Sequence, residues 1–118
     1  MSLVEGKSAM LRISVVDSRT QRCLVLEGKL IAPWEVELRT AWGAAKRELN
    51  RRELAIDLAN VTFVSQAGES LLLQLMNEGA QFSGRGVFAK HLLHQLRRRR
   101  KKIAAKLRHE PSNGGYEQ

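Results

Sequence analysis

The chain has 118 residues, 43% of them hydrophobic and 27% charged, a globular composition with room for one domain and not two. No apolar run approaches the ~20 residues that cross a bilayer. Residues 1–10 lack the apolar stretch of a secretory signal, and the single cysteine, Cys23, excludes an intramolecular disulfide and a multi-cysteine zinc site, so a reducing, cytoplasmic setting is expected. The formal net charge of +8 is unevenly spread: residues 1–89 carry 11 Lys/Arg against 10 Asp/Glu, and residues 90–118 carry 9 against 2. A near-neutral body therefore precedes a basic end, and the net charge alone does not make the whole chain a nucleic-acid binder.

Leu11, Ile13 and Val15 alternate with polar neighbours, the pattern of a half-buried strand. A polar stretch, residues 17–22, suits a hairpin loop, and Cys23-Leu24-Val25-Leu26-Glu27 reads as an antiparallel partner strand stopped by Gly28. Pro33 is placed to open a helix, with Glu35 and Glu37 at its positive end. Trp34, Leu38, Trp42, Ala45 and Leu49 give this helix one apolar stripe. Gly43 inside it costs about 1 kcal/mol relative to alanine, which predicts a kink or a close packing contact there. Leu54-Ala55-Ile56-Asp57-Leu58 then reads as a parallel strand of a βαβ unit, and residues 59–68 as a loop with Val61 and Phe63 buried. Residues 69–78 form a leucine-rich helix stopped by Gly79. Ala80-Gln81-Phe82 is a short last strand, Gly84-Arg85-Gly86 a turn, and residues 87–108 a third helix. Pro111 to Gln118 has the composition of a disordered tail.

These residues resemble the STAS domain, the family of anti-sigma factor antagonists and of the cytoplasmic domains of sulfate-type transporters. The resemblance runs from Arg12 to Phe82. It rests on Leu24-Val25-Leu26-Glu27-Gly28-Lys29-Leu30 followed, after a helix, by Ile56-Asp57-Leu58-Ala59-Asn60-Val61-Thr62-Phe63-Val64 and by Gly68 at the head of a leucine-rich helix. It implies an α/β fold, a STAS-like small mixed β-sheet with helices packed mainly on one side, here with a basic C-terminal helix added. The expected organisation is a STAS-like domain over residues 1–96, a basic helical extension over 97–110 and a disordered tail over 111–118.

The resemblance also implies a non-catalytic, cytoplasmic signalling module in transcription regulation, with no cofactor and no metal. It would bind a regulatory partner, an anti-sigma factor of kinase type or a transporter component, through Ser65, Gln66, Ala67, Gly68, Glu69 and Ser70. In the family this stretch reads Asp-Ser-Ser-Gly or Asp-Ser-Thr-Gly, and a partner kinase phosphorylates the hydroxyl residue before the glycine. Here it reads Ser65-Gln66-Ala67-Gly68. Ala67 has no hydroxyl, so the phosphate that would add about −1.5 to −2 charges to the binding surface cannot form at that position. Ser65 and Ser70 are nearby hydroxyls, better read as bonding the local backbone.

Other candidates have plainer readings. Cys23 begins a core strand and reads as an inert thiol. His91 and His94 share a helix face but lack further ligands in the sequence nearby, and read as solvent-facing. Gly84-Arg85-Gly86 lacks the spacing of a dinucleotide loop or a P-loop. Asp57 has no partner carboxylate or base and reads as a hydrogen-bonding group at its strand's end. At least one of Trp34 and Trp42 belongs to the core, and an exposed one would be a partner anchor. The run Arg97-Arg98-Arg99-Arg100-Lys101-Lys102 puts six cations on every side of a helix. Three readings stay open for it: a solvated helix end, salt-sensitive contact with nucleic acid, or weak attraction to anionic lipid. The second and third would make the protein an accessory of nucleic acid or of a membrane surface, with the body as scaffold.

Overall fold

The computed structural model describes residues 6–7 and 10–112, with side chains over residues 10–105. Its first feature is the expected hairpin. Strand β2 (Leu11–Asp17) pairs antiparallel with β3 (Gln21–Leu30), joined by a turn in which Ser18 N–H donates to Gln21 O at 2.8 Å. A two-residue strand β1 (Gly6–Lys7), for which the sequence carries no readable signal, lies antiparallel along β2. Gly28 does not stop β3. It sits at φ +101°, where a side chain is strained, and a Cβ there would collide with the Met10 carbonyl oxygen. The strand bends past this contact and continues to Leu30.

Helix α1 (Glu35–Arg47) begins after a turn that contains Pro33, two residues later than the sequence places it. Gly43 is exposed, and a Cβ built on it meets nothing within 4 Å, so neither close packing nor a break in the helix accounts for it. The chain turns into β4 through Asn50 and Arg51, both left-handed at φ 55° and 69°. Strand β4 (Glu53–Val64) is parallel to β3 and, at 12 residues, runs well past the apolar stretch Leu54–Leu58 that marks it in the sequence. Helix α2 (Gln66–Asn77), strand β5 (Gln81–Ser83), parallel to β4, and helix α3 (Val87–Ser112) complete the order. The five strands lie in the sheet in chain order, antiparallel through β3 and parallel from there to β5.

The pleat assigns the two faces of the sheet. Leu11 and Ile13 of β2, Leu24 and Leu26 of β3, and Ile56 and Leu58 of β4 are fully buried and belong to one apolar cluster. That cluster also contains Leu38, Trp42 and Ala45 of α1, Leu71, Leu72 and Leu75 of α2, and Ala89, Leu92 and Leu96 of α3. All three helices therefore pack on the same face. The other face carries Arg12, Ser14, Cys23, Val25, Asp57 and Ser83, aligned across the ladder and covered by no helix among the described residues. This is the small mixed sheet with helices on one side that the STAS resemblance implies. Helix α3 runs without interruption through Leu96 to Ser112, and residues 113–118 of the expected tail lie outside the described residues.

Candidate functional site

The loop expected over residues 59–68 is mostly strand, and the correction matters for the surface it builds. Two irregularities in the β3–β4 ladder explain it. Val25 pairs with Asp57 but Glu27 pairs with Asn60, and Gly28 pairs with Val61 but Lys29 pairs with Phe63, so β4 takes an extra residue each time. At the first bulge the Asp57 carboxylate accepts the Ala59 N–H at 2.9 Å. Asp57 thus bonds the backbone as expected, at a bulge inside the strand and not at its end. The second bulge reverses the alternation: Val61 is buried, whereas Phe63 is 51% exposed. No residue pattern signals this reversal, because Val61 and Phe63 at spacing two share a face in any regular strand.

Strand β4 delivers the chain to Ser65, which caps α2. Ser65 is extended, its Oγ accepts the Gly68 N–H at 3.2 Å and donates to Leu30 O at 3.4 Å, and its own N–H donates to Leu30 O at 3.0 Å. The helix therefore starts three residues before the position the leucine pattern gives. Gly68 is buried because α2 passes directly over the end of β3: a Cβ on it would collide with the Leu30 carbonyl oxygen and stand 2.9 Å from the Leu30 side chain. Gln66 and Ser70 are exposed, Ala67 and Glu69 half-buried. The N–H groups of Gln66 and Ala67 have no partner among the described residues. Residues 65–70 thus form one helix N-terminus with Phe63 at its rim.

The basic run lies next to this surface, which the sequence does not show. Glu69 of α2 forms an ion pair with Arg99 of α3 at 2.8 Å. Arg97, Arg98, Arg100, Lys101 and Lys102 are exposed.

The remaining candidates stand apart. Cys23 is half-buried on the open sheet face, where burial and then the nearby Asp57 carboxylate push its thiol up from its ordinary pKa, away from a nucleophilic thiolate. His91 and His94 are both exposed, and no group of three or more metal-capable side chains occurs among the described residues. Trp42 is the core tryptophan, 2% exposed, and Trp34 is half-buried against the same core. No helix among the described residues is long and apolar enough to cross a membrane.

No family model and no curated protein matches the chain. Among solved structures it is similar to an uncharacterized protein of the DUF3478 family from Shewanella loihica, described as having a SpoIIAA-like fold. That likeness covers 70% of this chain and 76% of the other at 17% identity, with a TM-score of 0.45.

Proposed function

We propose that the protein is a non-catalytic interaction module, similar to an anti-sigma factor antagonist, that docks a regulatory protein on the N-terminus of α2. The observation that carries this reading is the surface itself. Phe63, an apolar side chain of the size that anchors interfaces, is half exposed beside the exposed Gln66 and Ser70 and the two unpartnered N–H groups. Under it, Ser65 and Gly68 are fixed on the end of β3 by hydrogen bonds and close packing, so the surface is held in one shape before a partner arrives. With Ala67 at the position of the family's phospho-acceptor, this docking surface lacks the charge that a kinase would add, and regulation at that position is absent. The partner is a regulatory protein in signalling or transcription, of anti-sigma factor or transporter-component type.

Ala67→Glu tests the reading, because it places a permanent negative charge where the family carries phosphate. A carboxylate in the first turn suits the helix dipole, so the fold tolerates it. Capture of the partner by the tagged protein is expected to fall by about tenfold or more with Ala67→Glu and to persist with Ala67→Ser. Equal capture by both variants would place the interface elsewhere.

A further inference from the structure

Beyond a docking surface on the body, we propose that the exposed half of α3 binds double-stranded DNA through its phosphate backbone. Helix α3 has two halves. Ala89, Leu92, Leu93 and Leu96 face the core, and after Leu96 the described side chains are exposed apart from the half-buried Arg99. The Arg99–Glu69 ion pair at 2.8 Å ties the root of this arm to α2. Arg97, Arg98, Arg100, Lys101 and Lys102 have no carboxylate partner among the described residues, so their charges are available to a polyanion.

Their placement selects the polyanion. At 100° per residue, about 3.6 residues per turn, the side of the helix opposite the buried stripe carries Arg98, Lys101 and Lys102. Two open clefts flank Arg98, one lined by His94, Arg97 and Lys101, the other by Gln95, Arg99 and Lys102. A helix about 10–12 Å across enters the major groove of B-DNA, about 12 Å wide, and there meets phosphates of both strands on its two flanks. A membrane surface asks for the reverse, a single apolar face. Arg99 and Arg100 interrupt the apolar stripe between Leu96 and Ile103, so no such face forms over residues 97–105. The major groove of duplex RNA is too narrow to admit the helix. Residues 89–115 contain no Phe, Trp or Tyr, so the stacking platform that single strands use is missing from the arm. Contact through phosphates alone reads no sequence.

The test is fluorescence anisotropy of the full chain with a labelled mixed-sequence DNA duplex of about 20 base pairs, from about 50 to about 200 mM salt. Four phosphate contacts, from Arg97, Arg98, Lys101 and Lys102, predict a log–log slope of about −3.5, an affinity loss of about 150-fold over that range, and indifference to sequence. The Arg98→Gln, Lys101→Gln double variant is expected to reduce the slope by about 2 units, and Arg97→Gln, Lys102→Gln by a similar amount, with circular dichroism unchanged because all four side chains are exposed. Absence of binding at about 50 mM salt, a slope near zero, or a slope unchanged in both variants overturns the proposal. So does tighter binding to phosphatidylserine vesicles or to an RNA duplex than to DNA.

Discussion

Glu78, the last residue of the α2 cap, gathers donors from α1. Trp42 Nε1–H donates to its Oε1 at 2.9 Å, Arg39 donates to its Oε2 at 3.1 Å, and the Lys46 ammonium lies 3.9 Å away. The Arg39 hydrogen bond first, and then that of Trp42, hold its carboxyl below the ordinary value of 4.5. Asp17 is held low in the same way by Arg22, with Arg52 beside it. A carboxylate with a lowered folded pKa contributes stability that is fully present above its unfolded value and is lost as pH falls through the folded one. Urea stability followed by tryptophan fluorescence is therefore expected to fall from about pH 5 downward, and less steeply in Glu78→Gln. Identical acid limbs would contradict this role for Glu78. Gly43 makes a separate prediction. It is an exposed glycine inside α1 with open space at its Cβ position, so Gly43→Ala should raise stability by about 0.5–1 kcal/mol in urea unfolding. A loss would mean that this position makes a contact that the open space denies.

Where α2 crosses β3, the opposite rule holds for Gly68. A methyl group there meets a backbone carbonyl that cannot swing aside. Gly68→Ala should therefore destabilise the protein by about 1–3 kcal/mol and displace the Ser65 cap. A stability equal to wild type would show that α2 is free to lift from Leu30. The same crossing shows which parts of the molecule could be read from the residues. The hairpin, α1 and the parallel strand at Leu54–Leu58 follow from periodicity: Leu11, Ile13, Leu38, Trp42, Ala45, Leu54, Ile56 and Leu58 are buried, and Val15, Trp34 and Leu49 are half-buried against the same core. The sequence shows α2 only as a leucine stripe, because the residues that open it, Ser65 to Gly68, are polar or small and carry no periodic signal. The length of β4 was hidden by its two bulges, which break the alternation that a strand is recognised by. The Glu69–Arg99 pair joins residues thirty apart through a packing of α2 on α3 that no local pattern specifies. The site residues named from the STAS resemblance are placed together by the cap and first turn of one helix, which is a local consequence of sequence. The exposure of Phe63 is not readable from the residues because it depends on ladder register.

The molecule as a whole is two layers with different surfaces. The helices and one sheet face enclose the apolar core, and the opposite sheet face is open, with Gln81 exposed on it. The N-terminus of α2, with Phe63, lies at the C-terminal end of β4, and the basic half of α3 departs beside it. In the proposed account a regulatory protein meets the first of these surfaces and nucleic-acid phosphate the second, so salt separates them: the DNA contact weakens steeply with ionic strength and the docked protein does not. The most direct test of the docking surface is site-specific photo-cross-linking in native lysate treated with nuclease, with the photoreactive group at Gln66 in one protein and at Gln81 on the open sheet face in another. A discrete cross-linked protein from position 66, lost in Ala67→Glu and absent from position 81, is the predicted result. Cross-linking from position 81 alone, or the same product from both positions, would contradict the assignment of the docking surface to the start of α2.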